Sequence, residues 1–487
     1  MNAKVGAGIV NIITESLYDR PIVVFREYVQ NSVDSFGKSK IDEDEFFTKI
    51  WLDNSNLCFL DNGNGISRNE FYNKMIDIAN SEKKRAEHIG YKGIGRLSGL
   101  PYCNKLIFIN ICSFKNNDFQ EFYIDGSKYK ELKNKLNDYD LDDLMNEIGT
   151  YSDHLKGNKL AKIQSILNLH KDIFTKQDTG FLVILEKVTH VLMQTIASAD
   201  FYQELGWLLP VKFKDELYES NVKYLLEDLN EPIPQRSVIP AKSYNIRFND
   251  KIIERPITKN MLRDYTCMID LNYAVGFHSF NRDKIAIARG NSFFGIRLYI
   301  DNFFLCDENE LIPILVNSGL IKHSISELIQ SVRGIGAILY ITDKINISTN
   351  ARRTFIELTD KDSFDFLELL AEFVRNIYKA RYELSKYRRN KDVMEQNSEK
   401  LEQLRESANL ALQKLASDVI TVEVEYSVPK EFDDFDDIEK KKFIKQKLTN
   451  DMNTRIKEYL SQTTSFDYVN ATMDFITWLV SNKNDKL

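Results

Sequence analysis

Residues 26–36 read REYVQNSVDSF, and this stretch decides how the rest of the chain is read. It sets Glu27, Asn31 and Asp34 at spacings i, i+4 and i+7, which stack along one face of a helix. Phe25, Val29, Val33 and Phe36 make a second, apolar stripe that can pack on a sheet while the polar face looks into a pocket. A solvated surface helix also carries charged faces, so the choice rests on the neighbouring segments.

Upstream, residues 5–18 have amphipathic helical spacing (Val5, Ile9, Ile12, Ile13, Leu17) and stop before Pro21, which suits the first turn of the next helix. Downstream, two apolar runs, 47–52 and 57–60, flank Asp53, Asn54, Ser55 and Asn56, a turn composition that predicts a β-hairpin. The second strand runs into DNGNGIS at 61–67. As local chemistry this is a tight turn. As a site, it holds Asp61 at a strand end, where it could accept a hydrogen bond from an adenine amino group while Gly63 and Gly65 let the backbone pass close to the base. Residues 68–88 are helical and charged, with Ser81, Lys83, Lys84 and Arg85. Then comes HIGYKGIGRLSGL, in which Gly90, Gly93, Gly95 and Gly99 precede or open a predicted helix. Glycines there expose backbone N–H groups and the positive end of a helix to phosphate oxygens. The spacing fits neither the P-loop nor the dinucleotide-binding fingerprint.

Taken in order, helix Glu-x-x-x-Asn-x-x-Asp, strand-end Asp-x-Gly-x-Gly and Gly-x-x-Gly-x-Gly resemble the GHKL, or Bergerat-fold, ATPase superfamily. Its members include DNA gyrase B, the ninety-kilodalton heat-shock chaperone, histidine kinases and mismatch-repair ATPases. The run LYDRPIVVFREYVQNSVDSF (17–36) is most similar to the chaperone-like branch. The resemblance implies an α/β sandwich binding ATP and Mg2+ under a lid at 66–95. It implies Glu27 as the general base and Asn31 as the magnesium ligand, with Asp34 supporting them and Asp61 reading adenine. Gly63, Gly65 and Ile66 would border the nucleotide, and Lys84, Gly90, Gly93, Ile94 and Gly95 would lie along its phosphates. A carboxylate one helical turn from a metal-ligand amide can hold a water in line with a γ-phosphate. Relatives carry Gly-Thr near the end of this domain; here Gly180 is followed by Phe181, with Thr179 before it as the substitute nucleotide contact.

The first domain is expected over 1–190, with a helical, lysine- and aspartate-rich insertion at 126–178 and a strand at 179–188. Residues 200–360 show strand alternation in AKSYNIRFND, GIRLYIDNFFL and GAILYITDKINIS and are read as an α/β, transducer-like middle domain. Within it, INISTNARRTFIE resembles the chaperone branch's arginine loop and implies Arg352, with Arg353 as the fallback, as a γ-phosphate contact. Residues 366–418 carry the longest helical pattern in a mostly helical C-terminal region, 366–487. Its heptad seam is broken at Lys391, Ser398 and Arg405, which favours an antiparallel hairpin or partner-facing helix over a long zipper. A strand is read in VITVEVEYSV and a helical, aromatic end over 440–483, as core or as a dimer contact.

Across 487 residues, 43% hydrophobic and 28% charged content describe a globular protein of two or three domains. Five scattered cysteines and isolated histidines argue against a zinc site or disulfide frame, and with the lack of a signal-like N-terminus they point to the cytoplasm. The apolar run 106–114 is too short for a membrane helix and carries Asn110. The net charge of −7 disfavours nucleic acid as a partner. The expected activity is that of an ATP-hydrolysing conformational clamp, a nucleotide-dependent homodimer with a protein client or partner subunit. The alternatives are a DNA-handling clamp of mismatch-repair or microrchidia type and an ATP-sensing regulatory subunit, for example in bacterial defence.

Overall fold

The computed structural model describes residues 6–11, 20–37, 45–77, 95–217, 242–263, 265–281, 285, 293–342, 344–345, 347–349, 356–391 and 398–416. Lys84, Gly90, Gly93, Ile94, Arg352 and Arg353 lie outside these residues, as do the strand read in VITVEVEYSV and the helical end at 440–483.

After a short helix α1 (Gly8–Asn11), α2 (Val23–Phe36) leads into the hairpin β1 (Phe47–Asp53) and β2 (Asn56–Asp61). The turn between them places Asn54 at φ 53°, the left-handed region that asparagine tolerates better than most residues. Then follow α3 (Arg68–Ile76), β3 (Lys105–Ser113), β4 (Asp118–Asp125), α4 (Gly126–Leu132), α5 (Leu141–Ile148), β5 (Gly149–Ser152), α6 (Gly157–Asn168) and β6 (Gly180–Glu186). Helices α7 (His190–Ile196) and α8 (Phe201–Leu208) precede β7 (Asn245–Phe248) and β8 (Lys251–Ile252).

These strands form one sheet in the order β5-β4-β3-β6-β2-β1-β7-β8, antiparallel throughout except for the parallel β1–β7 pair. Period-two alternation splits β2: Leu57 and Phe59 face α2 through Phe25 and Tyr28, and Cys58 and Leu60 face the other side. That second side is covered by Ile163 and Leu167 of α6, so the segment read as an insertion supplies half of the sandwich as well as the edge strand β5. Two of the eight strands come from 245–252, beyond the position 190 at which the sequence reading closes the first domain.

A second sheet holds β9 (Tyr265–Asp270), β10 (Ala274–Phe280), β11 (Gly295–Ile300), β12 (Phe303–Asp307) and β13 (Gly336–Ile341) in the order β12-β11-β13-β10-β9. Its one parallel pair, β11–β13, requires a crossover, supplied by α9 (Glu308–Asn317) and α10 (Ile325–Val332). A capping box starts α9: the Asp307 carboxylate accepts from Asn309 N at 2.7 Å, and Glu310 accepts from Asp307 N at 3.2 Å. Helix α11 (Lys361–Lys391) lays Phe366, Leu370, Val374 and Ile377 into the same core as Ile269, Leu298 and Leu339. Helix α12 (Ser398–Ala416) folds back along it, with Lys414 Nζ 3.6 Å from Glu372, so the broken heptads belong to an antiparallel hairpin. None of the helices among the described residues is long and apolar enough to cross a membrane.

Arg255, fully buried, fastens the two sheets' lobes. Its guanidinium donates to Leu209 O (3.0 Å) after α8, and to Asn302 Oδ1 (2.6 Å), Asn302 O (3.1 Å) and Tyr340 Oη (2.9 Å) in the second lobe. It also lies 4.2 Å from the centre of the Tyr299 ring. Neutral acceptors at both terminal nitrogens and a π face thus replace much of the hydration that burial removes from the cation, while Nε stays buried without a hydrogen-bond partner.

Candidate nucleotide site

The residues of α2 that stay partly open are Val23, Glu27, Asn31 and Ser35, a strict i, i+4, i+8, i+12 stripe. Asp34 is enclosed, at 7% exposure. The residue after Glu27, Tyr28, is buried, and its hydroxyl donates to Arg96 O at 3.0 Å and accepts from Gly99 N at 3.1 Å. Burial pushes the phenol's pKa up, so it stays a neutral two-way hydrogen-bonding group. This bridge draws residues 95–99 onto the helix and sets Gly95 against the Glu27 carboxylate; a Cβ at Gly95 would overlap Glu27 Oε2. Arg96 Nη2 donates to Asp77 O at 2.8 Å, tying together the two flanks of the segment 78–94 that holds Lys84, Gly90, Gly93 and Ile94.

One helical turn beyond Asn31, the same helix meets the DNGNG turn. The Asp61 carboxylate is buried at the end of β2 and accepts from Gly63 N at 2.9 Å. Burial raises its pKa to about 7, against the Gly63 N–H and the Ser32 hydroxyl, which favour the charged form. Gly63 must lack a side chain, because a Cβ would run into the Ser35 hydroxymethyl group. Ser35 Oγ is itself buried and without a hydrogen-bond partner, an orphaned polar atom beside Gly63 and Asp61.

Gly65 takes φ +64°, and a Cβ there would lie 2.9 Å from Asn110 Oδ1 and 3.0 Å from Gly180 O. Ile66 follows, with its main chain gripped by Asn110: Ile66 N donates to Oδ1 at 2.9 Å and Nδ2 donates to Ile66 O at 2.7 Å. The hydroxyl of Thr179 donates to Gly63 O at 2.9 Å and accepts from Gln177 Nε2 at 2.7 Å. Phe181 stands in register opposite Asp61, and its ring packs toward Phe71 and Phe108, so an apolar surface adjoins the carboxylate where a threonine was expected from the resemblance.

Glu27 and Gly95 therefore meet at one part of α2, Asn31 follows one turn along, and Asp61, Gly63, Gly65, Ile66 and Thr179 gather at the other part. Sequence reasoning missed Tyr28, Ser35 and Asn110, and also Asn62. Inside the motif, Asn62 accepts from Phe47 N (2.8 Å) and donates to Glu45 O and Ile173 O (both 2.9 Å), pinning the turn to its surroundings. The span 66–95 assigned to a lid begins with an anchored α3: Phe71 is buried, and Arg68 pairs with Asp118 and, at 2.9 Å, with Asp153.

Helix α2 thus has Gly95 against its glutamate and the buried strand-end Asp61 turn further along. Residues 20–152 match the family described as histidine kinase-, DNA gyrase B-, and HSP90-like ATPase, and such a domain is present in this chain. That family spans the branches together and does not single out a chaperone-like one. Among curated proteins no match is found.

Proposed function

We propose that the chain binds ATP with Mg2+ and hydrolyses it to ADP and phosphate. The observation that carries this reading is that one helix, α2, presents Glu27 to Gly95 and Ser35 to the Asp61 turn. Those positions are about 12 Å apart along its axis, room for a nucleoside with its phosphate chain. Asp61 would accept from the adenine amino group, with Gly63, Gly65 and Ile66 bordering the base and Thr179 holding the Gly63 carbonyl. The orphaned Ser35 hydroxyl fits a ligand with a polar edge there. Asn31 would hold a magnesium ion shared with the phosphates, the usual mode for an ion that binds few protein ligands, and that ion would neutralise charge on the phosphate oxygens. Glu27 would take the proton from the attacking water, and Asp34 would stiffen the helix beneath. By resemblance, Lys84 and the backbone at Gly90, Gly93, Ile94 and Gly95 would lie along the phosphates.

The finer reading is a chaperone-like, ATP-gated clamp, which rests on the sequence at 17–36 and on Arg352 as the arginine implied for the γ-phosphate. The buried Arg255 joint supports it, since a fastened pair of lobes can convert a local change at the nucleotide into a change of domain geometry. Isothermal titration with ATP and MgCl2 tests the site. The wild type binds, and Asp61→Ala weakens binding by roughly tenfold to a hundredfold, the cost of one charge-assisted hydrogen bond, while remaining folded. Undiminished affinity in Asp61→Ala would refute the assignment.

A further inference from the structure

The geometry points to Asn110 as the positioning residue of the nucleotide site: from the middle of β3 its amide fixes the backbone path of residues 63–66, and so sets nucleotide affinity, without itself touching nucleotide. The inference rests on the ATP-site reading above. Asn110 is fully buried in a strand between Leu106, Ile107, Phe108 and Ile109 on one side and Ile111 on the other, where an unpaired amide would be costly. Its carboxamide instead answers both main-chain groups of Ile66, accepting from N at 2.9 Å and donating to O at 2.7 Å. A side-chain amide used in this way imitates a neighbouring strand and allows one register of the chain that it clasps.

The preceding residue shows why the register matters. Gly65 holds φ +64° where a Cβ would lie 2.9 Å from Asn110 Oδ1, and the Gly63 N–H two residues earlier is committed to the Asp61 carboxylate. Sliding or lifting Ile66 would therefore disturb Gly65 and loosen the turn that holds Asp61. The amide is supported from behind. Its Nδ2 also donates to Gln120 Oε1 at 2.9 Å, and Gln120 Nε2 donates to Arg68 O at 3.1 Å and to Tyr151 Oη at 2.9 Å. The cross-strand pair Asn110 and Gln120 thus holds the chain on both sides of the start of α3.

The test uses the full-length chain and the variants Asn110→Ala and Asn110→Asp, titrated with ATP, ADP and adenosine, with amide hydrogen exchange read at Ile66 in the absence of nucleotide. Asn110→Ala should weaken all three ligands by the same factor, roughly tenfold to a hundredfold, because the binding-competent turn becomes a minor population. At saturating ATP, kcat should stay within about twofold, and exchange at Ile66 should accelerate by more than about tenfold. Asn110→Asp keeps the acceptor for Ile66 N–H, so it should retain slow exchange and fall between the two in affinity. A residue that merely supports the fold would lower the melting temperature and the active fraction, leaving Kd and the Ile66 exchange of the folded protein unmoved, and that result would overturn the proposal. Should Asn110→Ala fail to fold, Asn110→Asp carries the same readouts, and wild-type affinity in it together with wild-type exchange would overturn the proposal too. Absence of binding by the wild type to all three ligands would instead remove the ATP-site reading, and the positioning role with it.

Discussion

His278 offers a prediction whose size follows from its surroundings. It lies in β10, 1% exposed, with both ring nitrogens buried and without hydrogen-bond partners. Phe280 and Phe373 stand against its ring at centroid separations of 5.4 and 5.6 Å, and Cys267 and Ala337 face it across the sheet. Desolvation lowers its pKa from 6.5 to about 3, so the folded protein holds the ring neutral while the unfolded chain takes up a proton below pH 6.5. Stability is therefore lost as pH falls through 6.5 toward 3. At pH 5.0, 1.5 units below the unfolded value, the loss from this one residue is about 2 kcal/mol, at 1.36 kcal/mol per unit. Urea titrations of wild type and His278→Leu at pH 7.5 and pH 5.0, followed by circular dichroism, isolate the term, because every other titrating group is common to both proteins. Leucine also removes two unpaired buried nitrogens, so the variant should be at least as stable at pH 7.5. It should lose about 2 kcal/mol less than wild type on acidification. Equal losses in the two proteins would refute the reasoning.

Asp61 should make ATP affinity pH-dependent in the same direction. With its carboxyl at about 7 and the charged form needed to accept from an amino group, Kd should weaken about tenfold from pH 8 to pH 6; a flat profile by calorimetry would mean that the carboxylate is not a ligand contact. The clamp reading predicts that ATP with Mg2+ raises the dimer fraction of Glu27→Ala above that of the ADP-bound protein, since a ligand that prefers the dimer must shift mass toward it. Analytical ultracentrifugation at several concentrations decides this, and a mass indifferent to nucleotide would remove the gating model.

What could be read in the sequence was whatever short spacing encodes. The open face of α2 follows from Glu27 and Asn31 lying one turn apart, and the hairpin from the turn residues 53–56. Strands β11, β12 and β13 were visible as alternation in GIRLYIDNFFL and GAILYI. The broken heptads of the C-terminal helical pattern already suited the hairpin that α11 and α12 make. Hidden from the sequence were the pairings made across long separations. Tyr28 meets Arg96 and Gly99 at 68 and 71 residues' distance, and Asn110 meets Ile66 at 44. Nothing local distinguishes a strand asparagine that clasps a distant backbone from one that faces water. The parallel pairing of β1 with β7 and the Arg255 joint are long-range for the same reason. Asn62 was read as turn chemistry, and its three hydrogen bonds to Glu45, Phe47 and Ile173 appear only once those segments are brought together.

The central claim, that this helix and these glycines hydrolyse ATP, is tested most directly by steady-state phosphate release from the purified chain with ATP and Mg2+, alongside Glu27→Ala. On the proposed reading Glu27 would act in the transition state and not in binding, so its removal should lower kcat by roughly a hundredfold to ten-thousandfold, the usual contribution of a general base, with ATP affinity within a few-fold of wild type. Phosphate release by Glu27→Ala at the wild-type rate would contradict the account.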